Sequence, residues 1–278
     1  MPRTRPTVAD LRALKGKRQL TMLRIFTLDE AAAAEEAGID IVSVPPDLVL
    51  NPAYRKVAPT LFSMSGLDHR EAGTREDYLR FCGKLLVAGA DAMYSSAGIE
   101  TVRYLASEHI PIVGHVGLVP SRATWTGGFR AVGKTADQAL ALYRECQAYE
   151  AAGAFAVEIE VVPEEVATDI SRRMERLLLW SMGAGAGCDA QYLFAMDILG
   201  EHKDHMPRHS KVYRNFAAEY DRLQRERVAA FTEFRQDVET GRFPEDRYIL
   251  HMSQTELQKF QDGLAKAADE NEPVADQR

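Results

Sequence analysis

Short apolar runs rich in β-branched residues alternate with longer helix-forming segments along most of the chain, and this alternation is the strongest constraint on the fold. Eight such runs are strand candidates, at 20–25, 39–44, 60–64, 91–95, 111–115, 156–161, 177–182 and 192–197. Strands that alternate with helices form parallel sheets, because each helix carries the chain back to the same edge. Eight units predict a closed α/β barrel of the (β/α)8, or TIM barrel, type. A doubly wound open sheet is the alternative.

Helical segments flank the strand-bearing part. Thr7 is a capping residue at the start of an N-terminal helix, and amphipathic helices are predicted over 213–240 and 253–267. The pattern predicts a single domain that spans residues 1–267, with the C-terminal helices outside the barrel. The polar tail, residues 268–278, is expected to be disordered. Segment 47–59 lacks helical periodicity and is predicted as a loop with at most one irregular turn.

Composition excludes several partners and compartments. The net charge is −7 and no basic stripe is interleaved with aromatic residues, so no nucleic-acid partner is expected. No apolar run approaches the roughly 18 residues needed to cross a bilayer, so no membrane association is expected. The N-terminus has no apolar signal segment, and the three cysteines lack C-x-x-C spacing. These features indicate a cytoplasmic protein with reduced thiols and no zinc site.

Charged side chains stand in three predicted strands. His115 ends a buried run, at the carboxyl edge where barrel enzymes place their chemistry. Glu158 and Glu160 share one face of the 156–161 strand, where two acids can share a proton or hold a cation. Arg24 interrupts an apolar strand and needs an anion, either Glu158 or a substrate carboxylate. Each of these residues could instead have a purely structural role, the histidine as a hydrogen-bonded core residue and the charged residues as members of buried ion pairs.

The segment that follows the histidine strand is predicted as a cover over the site. It spans 122–133, is rich in glycine and carries Trp125 and Phe129. Loops of this length and composition often close over substrates in barrel enzymes.

Several motifs, in order, resemble the ketopantoate hydroxymethyltransferase family, a branch of the phosphoenolpyruvate mutase/isocitrate lyase superfamily of barrels. Segment 114–120, Gly-His-Val-Gly-Leu-Val-Pro, is similar to the family's G-H-L-G-L-T-P. Segment 158–163 resembles its L-E-x-V-P strand, and 183–191 resembles its G-A-G-x-x-x-D-G-Q run. Segments 206–216 and 238–244 resemble its C-terminal helices. The resemblance runs from about residue 7 to residue 244.

The resemblance implies an aldol-type reaction on a small 2-oxo acid. A base removes a proton beside the carbonyl, and the resulting enolate attacks a one-carbon unit carried by methylenetetrahydrofolate. A chelated Mg²⁺ stabilises the enolate oxygen. Glu160 corresponds to the base, and His115 to the residue that holds or protonates the substrate oxygen. The C-terminal helices imply a homo-oligomer.

The implied magnesium site departs from the family pattern. Where the family has G-D-S, this chain has Pro45-Pro46-Asp47, so the acidic residue is displaced by one position. Where the family has A-D-L-P, this chain has residues 65–68, with Gly66 at the position of the aspartate. The family's K-x-E becomes Tyr94-Ser95-Ser96. Asp47, Asp68 and Glu158 remain as weak metal candidates, so we predict weak or absent Mg²⁺ binding.

Substrate contacts are assigned to four residues: Arg24, Asp47, Tyr94 and Ser96. Alternatives to hydroxymethyl transfer are a retro-aldol lyase or synthase with another substrate, and a barrel that has lost turnover.

Overall fold

The computed structural model describes residues 4–66, 72–203 and 206–269. Eight parallel strands close into a barrel in the order β1 to β8, with β8 paired to β1. The strands are β1 (Leu20–Arg24), β2 (Ile41–Val44), β3 (Phe62–Gly66), β4 (Ala92–Tyr94), β5 (Ile112–Gly117), β6 (Ala156–Glu160), β7 (Leu178–Met182) and β8 (Ala190–Phe194). The predicted (β/α)8 TIM barrel is confirmed, and the open-sheet alternative is excluded.

The described residues contain twelve α-helices, most of which follow one strand of the barrel and lead to the next. They are α1 (Val8–Ala13), α2 (Leu28–Ala37), α3 (Pro46–Leu50), α4 (Tyr54–Val57), α5 (Arg75–Ala88), α6 (Ile99–Ser107), α7 (Ala123–Thr126), α8 (Ala136–Ala151), α9 (Glu164–Arg173), α10 (Ala195–Leu199), α11 (Phe216–Glu239) and α12 (Gln254–Asp269). Thr7, Thr27 and Thr74 cap α1, α2 and α5, each accepting a backbone hydrogen bond in a capping box. These caps fix the start of each helix.

One connection differs from the sequence prediction, and another departs from the regular alternation of strands and helices. Segment 47–59 was predicted as a loop, but it contains α3 and α4. Pro46 begins α3 at the first helical position, and Tyr54 is fully buried against the core, so tertiary packing stabilises turns that lack helical periodicity. Segment 183–189 joins β7 to β8 without a helix.

The barrel interior is apolar at one end and polar at the other. Leu11 of α1 packs with the inward residues near the amino ends of the strands, among them Phe62, Phe155 and Trp180. Side chains alternate along each strand, so later inward positions fall at the carboxyl end of the barrel. Those positions carry Arg24, Ser43, Tyr94, His115, Glu158, Glu160 and Tyr192, all of which line one cavity. The inward-facing positions near the carboxyl ends of the strands therefore form the polar end of the barrel.

The described chain divides into two compact units, 1–217 and 218–278. The first holds the barrel. Within the second, Phe243 packs against Phe234 and Tyr248 at ring-centroid distances of 5.5 and 5.8 Å. Helix α12 extends to Asp269, two residues into the predicted tail, and the rest of that tail lies outside the described residues. The single-domain organisation over 1–267 stays a proposal.

Helices of the described segments are all too short or too polar to cross a lipid bilayer.

Candidate active site

A cavity of about 740 Å³ opens at the carboxyl ends of the strands. Its floor is polar, and its rim carries the aromatic rings of Phe26, Phe129 and Phe194. Pro120, Ser121 and Thr124 extend the rim from the β5–α8 connection, and of the lining residues Thr124 and Phe129 belong to the segment 122–133 predicted to cover the site. In a barrel of this type the carboxyl end is the usual place for catalysis, so this cavity is the candidate active site.

His115 lies at the centre of the cavity floor, in contact with three polar side chains. Its Nε2 atom is 3.1 Å from Oε2 of Glu160, and its Nδ1 atom is 2.8 Å from the hydroxyl of Tyr94. Nδ1 also lies 3.7 Å from Oε2 of Glu158. The approach of Glu160 is off the line of an N–H···O bond, and Nε2 has no hydrogen-bond partner within the described chain. This buried nitrogen therefore has a hydrogen-bonding capacity that no described residue uses.

The backbone around His115 is packed tightly. A Cβ atom on Gly114 would lie 2.3 Å from the ring of Tyr149, so only glycine fits there. The Tyr149 hydroxyl donates to the carbonyl oxygen of His115 at 3.4 Å. Together these contacts hold β5 against α8 and fix the height of the imidazole in the cavity.

Glu158 and Glu160 lie on the same inner face of β6, as the alternation predicts. Glu158 is buried, and burial raises its pKa to about 7, an effect that Glu160 strengthens and that His115 and Arg24 oppose. Glu160 is the more exposed of the two, with 13% of its side chain accessible. Glu160 therefore faces the open cavity, whereas Glu158 forms its floor.

Tyr94 and Ser96 both line the cavity from the end of β4. Burial, with added repulsion from Glu158, raises the pKa of Tyr94 well above its ordinary value, so its hydroxyl stays protonated. Ser96 is buried beside it. Both side chains offer neutral hydrogen-bonding groups to a ligand.

Arg24 has a different partner from the expected carboxylate. Its Nη1 donates to Oγ of Ser43 at 2.9 Å, and its guanidinium lies 5.2 Å from the centre of the Phe26 ring. Within the described chain no carboxylate lies within 4.0 Å of Arg24, so the ion pair with Glu158 considered from sequence does not form.

Asp47 does not lie in the cavity with the other candidate residues. It lies exposed in the first turn of α3 and is absent from the cavity lining. Asp68, the other displaced acid, lies outside the described residues.

Two polar cavity residues that stand in strands were not predicted from the sequence. Ser43 is buried within the apolar run of β2, and Tyr192 is buried in β8. A polar residue within an apolar strand could have marked each of them as a site candidate. Whether its side chain points into the cavity depends on how β2 and β8 pair with β1.

The described residues of the cavity fit a divalent cation poorly. Mg²⁺ requires near-octahedral oxygen ligands, usually including one or two direct carboxylates. Among the described lining residues the carboxylates are Glu158 and Glu160, and both lie close to His115. No group of three His, Cys, Asp or Glu side chains suited to a metal ion occurs in the described ranges. The donor set offers hydroxyl, imidazole and guanidinium groups instead.

Comparison with known proteins identifies the family. A family model described as ketopantoate hydroxymethyltransferase matches residues 63–246. The 3-methyl-2-oxobutanoate hydroxymethyltransferase of Thermotoga neapolitana is 32% identical, over 87% of this chain and 96% of that protein. The enzyme of the same name from Hyperthermus butylicus is 32% identical, over 93% and 95% of the two chains.

Solved structures are similar in fold. A candidate phosphonomutase from Burkholderia cenocepacia J2315 has a TM-score of 0.51 at 13% identity, covering 83% of this chain and all of that one. A 2,3-dimethylmalate lyase of the PEP mutase/isocitrate lyase superfamily has a TM-score of 0.49 at 13% identity, covering 95% and 99%. At 13% identity, the likeness to the phosphonomutase shows the fold alone. The family match and the two enzyme relatives show that the chain belongs to the ketopantoate hydroxymethyltransferase family.

Proposed function

We propose that this chain forms a carbon–carbon bond beside the carbonyl of a small 2-oxo acid. The observation that carries the proposal is the contact between Glu160 and His115, 3.1 Å apart at the floor of a cavity at the carboxyl end of the barrel. A carboxylate beside a hydrogen-bonding imidazole is a pairing that can remove a proton and stabilise the oxygen charge that develops. Family membership supports this reading.

Glu160 is the proposed base. Its carboxylate accepts the proton from C3 of the 2-oxo acid, the C–H electron pair becomes the C2–C3 double bond, and the carbonyl electrons move to the oxygen. His115 Nε2, which lacks a hydrogen-bond partner in the described chain, holds or protonates that oxygen. Tyr94 and Ser96 contact the substrate from β4. Asp47, exposed on α3, has no part in this proposal.

The electrophile in the proposed reaction is a one-carbon unit. Methylenetetrahydrofolate, the donor implied by the family, would supply it together with water. The enolate carbon would form the new C–C bond, the water oxygen would become the hydroxyl group, the two C–N bonds of the methylene carbon would break, and the freed nitrogens would take up one proton from water and the proton removed from C3. The rim aromatics Phe26, Phe129 and Phe194 offer flat apolar surface to a ring system of this kind. A retro-aldol lyase would use the same two residues in the opposite direction.

Deuterium exchange tests the proposal without knowledge of the second substrate. The protein is incubated in D₂O with 2-oxoisovalerate, and loss of the C3 proton signal is followed by NMR. We expect exchange faster than in buffer, and slower exchange when Glu160 is replaced by Gln. Absence of exchange for 2-oxoisovalerate and a panel of other 2-oxo acids would favour a barrel that has lost turnover.

A further inference from the structure

We infer that Arg24 takes the role of a divalent cation at this site, holding the carboxylate and the oxo group of the substrate. The inference rests on the proposed function, because it concerns how the same 2-oxo acid is bound. It assigns Ser43 as the residue that positions Arg24.

The first observation is that no side chain can enter the cavity from Gly66. A Cβ atom there would lie 2.4 Å from the carbonyl oxygen of Tyr94 and 2.8 Å from the Tyr94 Cβ. Gly66 pairs with Tyr94 in the β3–β4 register, so the obstruction comes from the neighbouring strand itself. A carboxylate ligand cannot occupy this position unless the backbone of β4 moves.

The second observation is the charge already present. Arg24 is the one Lys or Arg side chain among the described residues that line the cavity. A divalent cation bound on the same floor would be repelled by the guanidinium, in surroundings where burial weakens screening. The fixed positive charge therefore competes with a metal ion and attracts an anion.

The third observation is the hydrogen-bonding capacity of Arg24. A guanidinium has five N–H donors, and the one bond that Arg24 makes in the described chain goes to Ser43 Oγ, at 2.9 Å. The guanidinium carbon lies 5.2 Å from the centre of the Phe26 ring, a contact that takes up none of the N–H donors. A 2-oxo acid presents carboxylate and carbonyl oxygens side by side, and a planar two-pronged donor can bind both.

In this arrangement the positively charged guanidinium of Arg24 stays beside the enolate oxygen throughout the reaction. As the C3 proton moves to Glu160, negative charge accumulates on the oxygen that Arg24 and His115 face. Preorganised N–H donors stabilise such charge without rearrangement. The hydrogen bond to Ser43 holds the guanidinium at the barrel wall, with no carboxylate of the described chain within 4.0 Å of it.

Binding of oxalate, a planar mimic of a 2-oxo acid enolate, is the test. Isothermal titration is run in EDTA and in MgCl₂ with the full chain, with Arg24→Met and Arg24→Lys, and with Arg103→Met as control. Arg103 is exposed on α6 beside Glu100. We expect equal affinity with EDTA and with MgCl₂, a loss of about 30-fold or more for Arg24→Met, and a smaller loss for Arg24→Lys. Arg103→Met should bind as the parent does.

Ser43→Ala provides a second variant if Arg24→Met does not fold. It removes only the hydroxyl that positions Arg24, and we expect oxalate affinity to fall about 3- to 10-fold. Oxalate binding that requires MgCl₂, or that survives Arg24→Met unchanged, would overturn the inference.

Deuterium exchange separates the inference from the proposed function. Exchange that occurs only with MgCl₂ overturns the role of Arg24 and leaves the carbon–carbon chemistry intact. Oxalate binding through Arg24 without exchange of any 2-oxo acid supports the anion site and contradicts the proposed reaction. Exchange in EDTA that Arg24→Met abolishes supports both.

Discussion

The Nε2 atom of His115 and the Oε2 atom of Glu160 lie 3.1 Å apart, although 45 positions separate them in the chain. Pairing of β5 with β6 produces this contact, because Gly117 lies opposite Glu160 and His115 opposite Glu158. Glu160 thus lies two residues beyond the level of His115, towards the carboxyl end of the barrel. A base in this position faces a bound substrate, whereas Glu158 faces the interior.

Replacement of Glu160 by Gln is predicted to slow proton removal by about 10²- to 10⁴-fold, the usual contribution of a general base. The amide keeps the size of the side chain but cannot accept the C3 proton. The rate of deuterium exchange measures the effect, and Glu165→Gln, at an exposed position of α9, is the matched control. Exchange at the parental rate in Glu160→Gln would refute the assignment.

Glu158 makes the free energy of unfolding depend on pH. Its pKa in the folded chain is about 7, above the ordinary value of 4.5, so the folded state binds its proton more tightly than the unfolded state. Stability therefore falls as pH rises from about 4.5 to about 7, and the penalty is constant above that range. The full penalty is on the order of 3 kcal/mol.

Glu158→Gln removes this penalty, because the amide stays neutral at every pH. The variant is expected to melt above the parent at pH 8 and near the parent at pH 5. Thermal unfolding followed by circular dichroism at both pH values measures the difference. A stabilisation that is the same at pH 5 and pH 8 would show that ionisation of Glu158 is not its cause.

Gly66→Ala is predicted to destabilise the barrel. The new methyl group would overlap the backbone of Tyr94, and overpacking of this kind costs about 1–3 kcal/mol. Gly83→Ala is the control, because a Cβ there meets nothing within 4 Å and lies inside α5. Alanine in a helix interior is favoured over glycine by about 0.5–1 kcal/mol, so Gly83→Ala should stabilise. Urea unfolding of both variants compares them, and equal effects would contradict the close packing of β3 and β4.

A homo-oligomer remains our prediction for this chain. The second unit exposes large apolar side chains on α11 and α12, among them Phe231 at 73% exposure. Apolar surface of this kind often marks an interface. Light scattering at micromolar concentration should give a mass above one chain, reduced by Phe231→Asp. Val87→Asp, at an exposed position of α5, should leave the mass unchanged. A parental mass of one chain would refute the prediction.

The sequence by itself determined the barrel and two of its central side chains. Alternation of apolar runs with capped helices is a local property, and each run forms a strand within a few residues of its predicted bounds. His115 and Glu160 could be singled out because a charged group in an apolar strand is costly unless it is used or paired. Their motifs also placed the chain in its family.

Only the tertiary structure decided which polar groups meet. Strand register brings Ser43, and not Glu158, to Arg24, and it closes the space at Gly66 with the backbone of Tyr94. Asp47 was a candidate because of its sequence position, but the turn of α3 carries it to the surface. Contacts between distant segments depend on pairing across the barrel, and a one-residue shift in register reverses the face of every side chain. Local sequence patterns do not encode that register.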